Sequence, residues 1–243
     1  MDVIEVLPQL HMLRFPVGQA YLWRDGDALT LIDGGTAGSG PRIAEAVTAL
    51  GLRPSDVRRI VLTHFHEDHL DGAVEFAALS GAPVLAHRAD APFVRGEAPG
   101  PPPVFEDWEL PIFAEVATVL PPRPAHPGYP GEVHELDGGE VLDFGDGARV
   151  IRAPGHTDGS IALHLPYHGV LFTGDAVAAS PVDGRVMLGV FNVDGKQALA
   201  SFRELAALES DVACFGHGAP VTEHASAALC ASANRYPRLE VER

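Results

Sequence analysis

The chain has 243 residues, of which 46% are hydrophobic, and these values are typical of one globular domain with a large core. No apolar run approaches the length of a membrane span, and the acidic start lacks the features of a secretion signal, so we expect a cytoplasmic protein without membrane contacts. The 33 acidic and 17 basic residues give a formal charge of −16 at pH 7, which repels polyanions and argues against a nucleic-acid partner. We therefore expect a small-molecule partner, and the sequence leaves the oligomeric state open.

Apolar patterns predict strands and helices in two successive groups. The first group has predicted strands at 2–7, 11–15, 20–24, 28–33, 57–62 and 83–86, and predicted helices at 41–50 and after Asp71. The second group has predicted strands at 149–152, 161–165, 169–174 and 212–216, and predicted helices at 196–208 and 223–235. Two such groups favour an α+β fold in which two sheets pack face to face with helices outside. We expect one domain over residues 1–243.

A proline-rich segment at about 96–131 separates the two groups. It contains two proline clusters, at 99–103 and 121–130, on either side of an amphipathic stretch at 107–120. Dense proline opposes regular structure and favours stiff, extended connections. From the residues alone the segment is either a simple linker or an insertion that shapes a substrate pocket. Aromatic candidates for the pocket wall are Phe93, Phe105, Trp108, Phe113 and Tyr129, but no substrate-binding residue is assigned.

The most informative motif lies at 63–69, directly after a predicted strand. Its ligand-type residues are His64, His66, Asp68 and His69. Neutral imidazoles and carboxylates suit zinc and, less selectively, iron or manganese. In an extended loop His64 and His66 can point the same way. Asp68 and His69 then turn toward a second position, so one run of residues can serve two neighbouring ions. The alternative is a solvated loop that is rich in histidine.

Three further ligand-type residues follow predicted strands later in the chain. They are His156 after Gly155, Asp175 after Gly174, and His217 after Gly216. In each case a strand ends, glycine permits a turn, and a histidine or aspartate stands at its tip. A two-metal site needs ligands from several loops, and these residues supply them.

The type, order and spacing of these seven residues resemble the metallo-β-lactamase-fold hydrolase superfamily, over about 33–217, with a glyoxalase II-like ligand set. The resemblance implies a four-layer αββα sandwich. Because members of the family carry pocket-forming insertions in this region, it also favours an insertion at about 96–131 that folds over the metal face and shapes the substrate pocket over a linker. It implies one ion on His64, His66 and His156, a second ion on Asp68, His69 and His217, and Asp175 as the bridge between them. It also implies two zinc ions per chain, with iron or manganese as alternatives. Asp33 matches a buried family aspartate that supports the site without binding metal, although from the sequence alone it is a carboxylate in a turn at a strand end.

By this resemblance the chain is a dinuclear zinc hydrolase. Two zinc ions about 3.5–4 Å apart lower the pKa of a shared water and so provide a hydroxide that attacks a carbonyl carbon. Asp68 is the expected catalytic residue, because its carboxylate can orient the water or relay its proton. A thioester or a lactone is the favoured substrate.

Other members of the superfamily fit the sequence less well. Class B β-lactamases generally lack the aspartate found here at 175, acyl-homoserine lactonases have a tyrosine shortly after it, and long-form transfer-RNA nucleases add basic elements. Glyoxalase II keeps all seven positions, but its basic glutathione-binding segment is not recognisable here, where Arg185 and Lys196 are the only cations between Asp175 and Arg203.

Two further classes of function stay open. One is a mononuclear iron persulfide dioxygenase, whose ligands would be His64, His156 and Asp175, because two histidines and one carboxylate suit non-haem iron. The other is a non-catalytic metal-binding protein.

Overall fold

The computed structural model describes residues 1–122, 128, 130 and 132–237, so that Tyr129 and His126 lie outside the described residues. Within these residues the chain forms fourteen β-strands and six α-helices. None of these helices is both long and apolar enough to cross a membrane. Two sheets pack face to face and helices cover their outer faces, so the four-layer α+β architecture expected from the sequence is confirmed.

The first sheet contains the N-terminal strands and one strand from beyond the insertion. In sheet order they are β1 (Asp2–Leu7), β2 (Leu10–Arg14), β3 (Gln19–Asp25), β4 (Ala28–Ile32), β5 (Val57–Val61), β6 (Val84–His87) and β7 (Val133–Leu136). Neighbours from β1 to β4 pair antiparallel, and neighbours from β4 to β7 pair parallel. β7 was not expected from the sequence, because only its end residues, Val133 and Leu136, are apolar and buried.

The second sheet contains the C-terminal strands. In sheet order they are β14 (Val212–Cys214), β11 (Val170–Phe172), β10 (Ile161–Leu165), β9 (Ala148–Arg152) and β8 (Val141–Leu142), and β12 (Val177–Ala179) pairs with β13 (Val186–Leu188) in a separate hairpin. β14 pairs parallel with β11, and the other neighbours in the second sheet pair antiparallel. Every residue of β10 is buried, because Leu163 faces the first sheet while Ala162 faces the outer helices.

Helices bury the outer face of each sheet. α1 (Gly40–Ala49), α2 (Glu67–Ser80) and α3 (Ala91–Val94) pack on the first sheet, α4 (Glu109–Val119) belongs to the insertion, and α5 (Gly195–Ala206) and α6 (Ala225–Ala233) pack on the second sheet. Alternating side chains produce these layers. In β3, Ala20 and Leu22 face the helices, whereas Tyr21 and Trp23 face the second sheet.

α2 begins at Glu67, earlier than the expected start after Asp71. The backbone of His66 is extended, and its carbonyl accepts the first helical hydrogen bond from His69 N. Glu67 and Asp68 lie in the first turn, where the helix dipole favours carboxylates. Asp68 and His69 therefore stand on the first turn of a helix and not on an extended loop.

α4 occupies the stretch of the insertion that was interpreted as amphipathic, but it has no buried apolar face within the described residues. Its one buried residue is Glu109, whereas Leu110, Ile112 and Val119 are exposed. Most apolar side chains of α4 are therefore exposed among the described residues.

The insertion is attached to the rest of the chain at two places. At the first, a Cβ atom on Gly100 would overlap the ring of Phe65, which shows how closely the backbone approaches. At the second, Val104 N donates to Asn192 O and the Glu109 carboxylate accepts a hydrogen bond from Phe191 N.

Two of the expected wall residues take part in an aromatic cluster at this second attachment. The ring centroids of Phe105 and Phe113 lie 4.7 Å apart, and both rings contact Phe191. Phe93 contacts Phe65 instead, and Trp108 is largely exposed. Phe105 and Phe113 of the insertion thus pack against Phe191, which lies outside it.

We predict that Phe172→Ala lowers the free energy of unfolding by about 3–5 kcal/mol, because it empties a close-packed position between the sheets. Phe172 is 1% exposed and meets Tyr21 edge to face at a centroid distance of 5.4 Å. Chemical denaturation followed by circular dichroism measures the change. Tyr167→Ala is the control, because Tyr167 is 79% exposed, and it should change stability by no more than about 0.5 kcal/mol. Equal losses in the two variants would contradict the position of Phe172 in the core.

Candidate metal centre

The seven ligand-type residues lie together where strands of the two sheets end. His64 and His66 follow β5, Asp68 and His69 lie in the first turn of α2, His156 follows β9, Asp175 follows β11, and His217 follows β14. The C-terminal ends of β9, β11 and β14 share one edge, because β11 runs parallel to β14 and β10 lies antiparallel to both β9 and β11. A hydrogen bond from Ile161 N to Thr63 O joins the two sheets at this edge.

His64, His66 and His156 form one group, whose ligand nitrogens lie within 4.8 Å of one another. His66 Nδ1 lies 2.9 Å from His156 Nε2. Burial, and secondarily the His156 imidazole, lowers the pKa of His66 to about 3. Burial also lowers the pKa values of His64 and His156. The three imidazoles are therefore neutral at pH 7, which is the form that binds metal.

Asp68, His69 and His217 form a second group with the same spacing limit of 4.8 Å. Asp68 Oδ2 lies 3.2 Å from His217 Nε2 and 3.7 Å from His69 Nε2. Burial opposes a charge on His217, but Asp175 and Asp68 together raise its pKa to about 10. Burial likewise opposes ionisation of Asp68, but His69 and His217 hold its pKa well below its usual range. The carboxylate and the imidazoles of this group are thus electrostatically complementary.

Asp175 lies between the two groups. Its Oδ2 atom is 3.6 Å from His156 Nε2 and 3.2 Å from His217 Nε2, and its Oδ1 atom is 3.4 Å from His69 Nε2. His64, His69 and Asp175 also form a set whose ligand atoms lie within 4.8 Å of one another. One carboxylate therefore reaches both groups.

Unpartnered buried atoms show that these residues fit a metal ion. His64 Nε2, His69 Nε2 and Asp175 Oδ1 are buried and have no hydrogen-bond partner among the described residues. Buried polar atoms are nearly always hydrogen-bonded, so three orphans in one cluster require an explanation. Nitrogen and oxygen atoms at this spacing are suitable ligands for zinc, iron or manganese.

Asp33 holds the motif in place from behind. Its carboxylate is 2% exposed and accepts hydrogen bonds from Thr63 N and Thr63 Oγ1, both at 2.8 Å, and it lies 2.9 Å from His69 Nδ1. Because Nδ1 of His69 contacts Asp33, Nε2 of the same ring is directed at the cluster. Many metal-binding histidines are oriented in this way by a carboxylate that does not itself bind the metal. Asp33 has a φ of +58°, and such a backbone conformation is uncommon outside glycine and is often linked to function.

The loop that carries His217 is held by residues that the sequence patterns did not single out. The buried Gln19 side chain donates to Phe215 O and Gly218 O, both at 2.7 Å, and Tyr21 Oη donates to Phe215 O. These contacts join β3 of the first sheet to both sides of His217. A buried glutamine in an apolar strand was the available signal, because a buried amide requires partners.

The backbone also approaches closely beside His217. A Cβ atom on Gly216 would overlap Asp175 Oδ1 and crowd the ring of His69. The glycine before His217 is therefore needed for space as well as for a turn.

The other histidines that the structure describes lie outside the three metal-type groups. His164 Nε2, for example, lies 2.9 Å from Glu209 O, and His168 Nε2 lies 2.9 Å from Asp146 Oδ2. These are the contacts of satisfied structural or surface residues.

Sequence comparisons relate the chain to known metal-dependent proteins. The sequence model of one family, described as the metallo-beta-lactamase superfamily, matches residues 13–217. The probable metallo-hydrolase YflN of Bacillus subtilis (strain 168) is 28% identical over 235 residues, covering 90% of this chain and 87% of that protein. The hydroxyacylglutathione hydrolase of Rhodobacter capsulatus is 31% identical over 202 residues, covering 82% of this chain and 61% of that protein.

Solved structures share the fold. The metallo-beta-lactamase family protein TTHA1429 from Thermus thermophilus matches with a TM-score of 0.67 and 27% identity, covering 95% of this chain and 78% of that chain. The protein TTHA1623, in a di-iron-bound form, matches with a TM-score of 0.61 and 26% identity, covering 86% of this chain and 91% of that chain.

We predict that Asp33→Asn destabilises the protein by about 1–3 kcal/mol. The carboxylate now accepts hydrogen bonds from buried donors, and the NH₂ group of asparagine would have to face one of these donors without accepting its hydrogen. Asparagine tolerates a positive φ, so the substitution changes hydrogen bonding rather than backbone preference. Thermal or chemical denaturation measures the loss. Asp27→Asn removes the same charge at an exposed site and should leave stability unchanged. A neutral effect of Asp33→Asn would contradict the structural role of this carboxylate.

Proposed function

The chain belongs to the metallo-beta-lactamase superfamily and is a metallo-hydrolase, and we propose that it hydrolyses a small thioester at a site for two divalent metal ions. The observation that carries the two-ion proposal is the pair of ligand groups that share Asp175. A single ion cannot account for seven ligand-type side chains, because zinc sites commonly use three or four protein ligands.

We assign the ligands according to the two groups. His64, His66 and His156 hold one ion, Asp68, His69 and His217 hold the other, and Asp175 bridges them. Zinc is the proposed metal in both positions. Iron is the principal alternative, because the related protein TTHA1623 is known in a di-iron-bound form, and manganese suits the carboxylates as well.

The residues around the ions then have separate roles in hydrolysis. A pair of bound divalent ions supplies a Lewis acid for the carbonyl oxygen and an acidified water at neutral pH. Asp68 orients the attacking water and accepts its proton at a carboxylate oxygen. Asp33 keeps Nε2 of His69 directed at the site through its contact with Nδ1. Attack on the thioester carbon breaks the bond to sulfur, and the products are a carboxylic acid and a thiol.

The hydroxyacylglutathione hydrolases among the relatives support the thioester as the substrate class. The thiol part need not be glutathione. The chain spans 61% of the length of the Rhodobacter capsulatus relative, so it does not match all of that protein. Arg185, one of the two cations in the region where a basic glutathione-binding segment would lie, is paired with Asp183 on the surface. A lactone is the second choice, because the same attack on a carbonyl carbon opens it.

We predict that the purified protein holds two metal ions per chain and hydrolyses a thioester. Elemental analysis gives the metal content, and a panel of a hydroxyacyl glutathione thioester, other thioesters, a lactone, a phosphodiester and a β-lactam gives the specificity. His66→Ala and His217→Ala should each lower the content by one ion, because each removes a ligand of a different group. If the protein instead holds about one iron and no zinc per chain, and consumes oxygen when glutathione persulfide is added, it is a dioxygenase and the proposed hydrolase function is wrong. Two ions without turnover of any substrate would indicate a non-catalytic metal-binding protein.

We predict that Asp68→Asn lowers kcat by about 100-fold or more, because the amide cannot accept the proton of the attacking water. The metal content of the variant is measured alongside kcat, so that a loss of chemistry is separated from a loss of metal. Asp27→Asn again serves as the control and should keep wild-type kcat. Unchanged activity of Asp68→Asn would refute the proposed catalytic role.

A further inference from the structure

The carboxylate of Asp90 lies buried between two loops of the metal centre. Asp90 is 0% exposed. Its Oδ2 atom accepts hydrogen bonds from Phe65 N at 3.1 Å and Thr157 Oγ1 at 2.8 Å, and its Oδ1 atom accepts one from Gly159 N at 2.9 Å. One side chain thus links two segments that are far apart in sequence.

The linked segments carry the first ligand group. Phe65 stands between His64 and His66 in the chain, and Thr157 directly follows His156. The distance between the two loops is therefore set at residues adjacent to all three ligands. The second group is positioned by other contacts, those of Asp33 and Gln19.

Asp90 itself is anchored in the first core. Its carbonyl accepts hydrogen bonds from Phe93 N and Val94 N, and its own N–H donates to His87 O. Ala91 and Val94 of α3 are fully buried under the first sheet. The carboxylate is thus presented from a short turn between β6 and α3, and that turn is held by backbone hydrogen bonds on both sides.

The hydrogen bonds at this position favour a carboxylate over an amide. All three partners donate, so both oxygens must be acceptors, and an amide would oppose a backbone N–H whichever way it is turned. A Cβ atom on Gly159 would overlap the carboxylate, so the backbone of the loop after His156 lies directly against Asp90. Burial raises the pKa of Asp90 to about 6, against the hydrogen bonds from Thr157, Gly159 and Phe65, so the group is ionised at pH 7.

We propose that Asp90 is a positioning residue that fixes the spacing of His64 and His66 relative to His156 and thereby sets the affinity of that group for its metal ion. This inference rests on the metal-binding part of the proposed function. It assigns Asp90 to one of the two ions, because its three hydrogen bonds reach the loops of the first group. Outer hydrogen-bond partners of ligands commonly change metal affinity by about 10- to 100-fold.

The test is a zinc titration of the full chain in competition with a chromophoric chelator. The wild-type protein should bind two zinc ions. Asp90→Asn should weaken one binding event by about 10- to 100-fold and leave the other unchanged. Asp158→Asn is the matched control, because it removes the same charge from an exposed site in the loop that follows His156, and it should bind both ions as the wild type does.

Combined substitutions identify the ion that is affected. In a His217→Ala background the remaining ion is held by the first group, so adding Asp90→Asn should weaken it. In a His66→Ala background the remaining ion is held by the second group, so adding Asp90→Asn should leave its affinity unchanged. A merely structural role for Asp90 would weaken both ions equally or lower stability without changing either affinity, and either result would overturn the inference.

A milder variant covers the case in which Asp90→Asn does not fold. Thr157→Val removes one of the three donors with little change in shape, and it should weaken the same single ion to a smaller extent. Unchanged binding of both ions by Thr157→Val would then overturn the inference. A wild-type protein that binds no zinc would overturn the proposed function and this inference together, whereas wild-type affinities in Asp90→Asn would overturn the inference alone.

Discussion

The metal centre depends on keeping unpartnered polar atoms buried in one place. His64 Nε2, His69 Nε2 and Asp175 Oδ1 have no hydrogen-bond partner among the described residues, and each such atom costs about 1–3 kcal/mol. The cluster persists because the remote atoms of its side chains and their neighbouring backbone are held by hydrogen bonds. Asp33, for example, contacts His69 Nδ1 on one side and both donors of Thr63 on the other. The geometry of the site is therefore a property of these outer contacts as much as of the ligand-type residues.

These contacts also make the two halves of the chain interdependent at the site. Gln19 in the first sheet holds the loop of His217, which follows a strand of the second sheet, and Ile161 of the second sheet donates to Thr63 O in the loop that follows β5 of the first sheet. A shift of one sheet against the other would move His156, Asp175 and His217, which follow strands of the second sheet, away from the motif at 63–69, which follows a strand of the first. The packing of Tyr21 and Phe172 between the sheets opposes such a shift. Core packing and site geometry are thus coupled.

The parts of this arrangement that follow a local rule could be predicted from the sequence. Strand ends marked by glycine identified His156, Asp175 and His217, and the structure brings them beside the motif at 63–69. Asp90 and Gln19 carry no such mark, because what they do depends on partners far away in the chain. The early start of α2 was missed because the apolar pattern begins only after its first turn, where Glu67 and Asp68 supply the signal instead. β7 has too few apolar residues to predict and forms by pairing with β6.

The pairing of β6 with β7 has a consequence for the way this protein can change. The segment that contains the insertion leaves the first sheet at the end of β6 and re-enters it at the start of β7, so the parallel pairing of these strands fixes both of its ends whatever lies between them. The entropy of closing a loop grows slowly with its length, so residues can be added to or removed from the insertion at small thermodynamic cost. The ligand-type residues all lie outside it. Evolution can therefore exchange the surroundings of the substrate while the metal centre and both sheets stay intact, and a designer could graft a new specificity onto this scaffold by the same route.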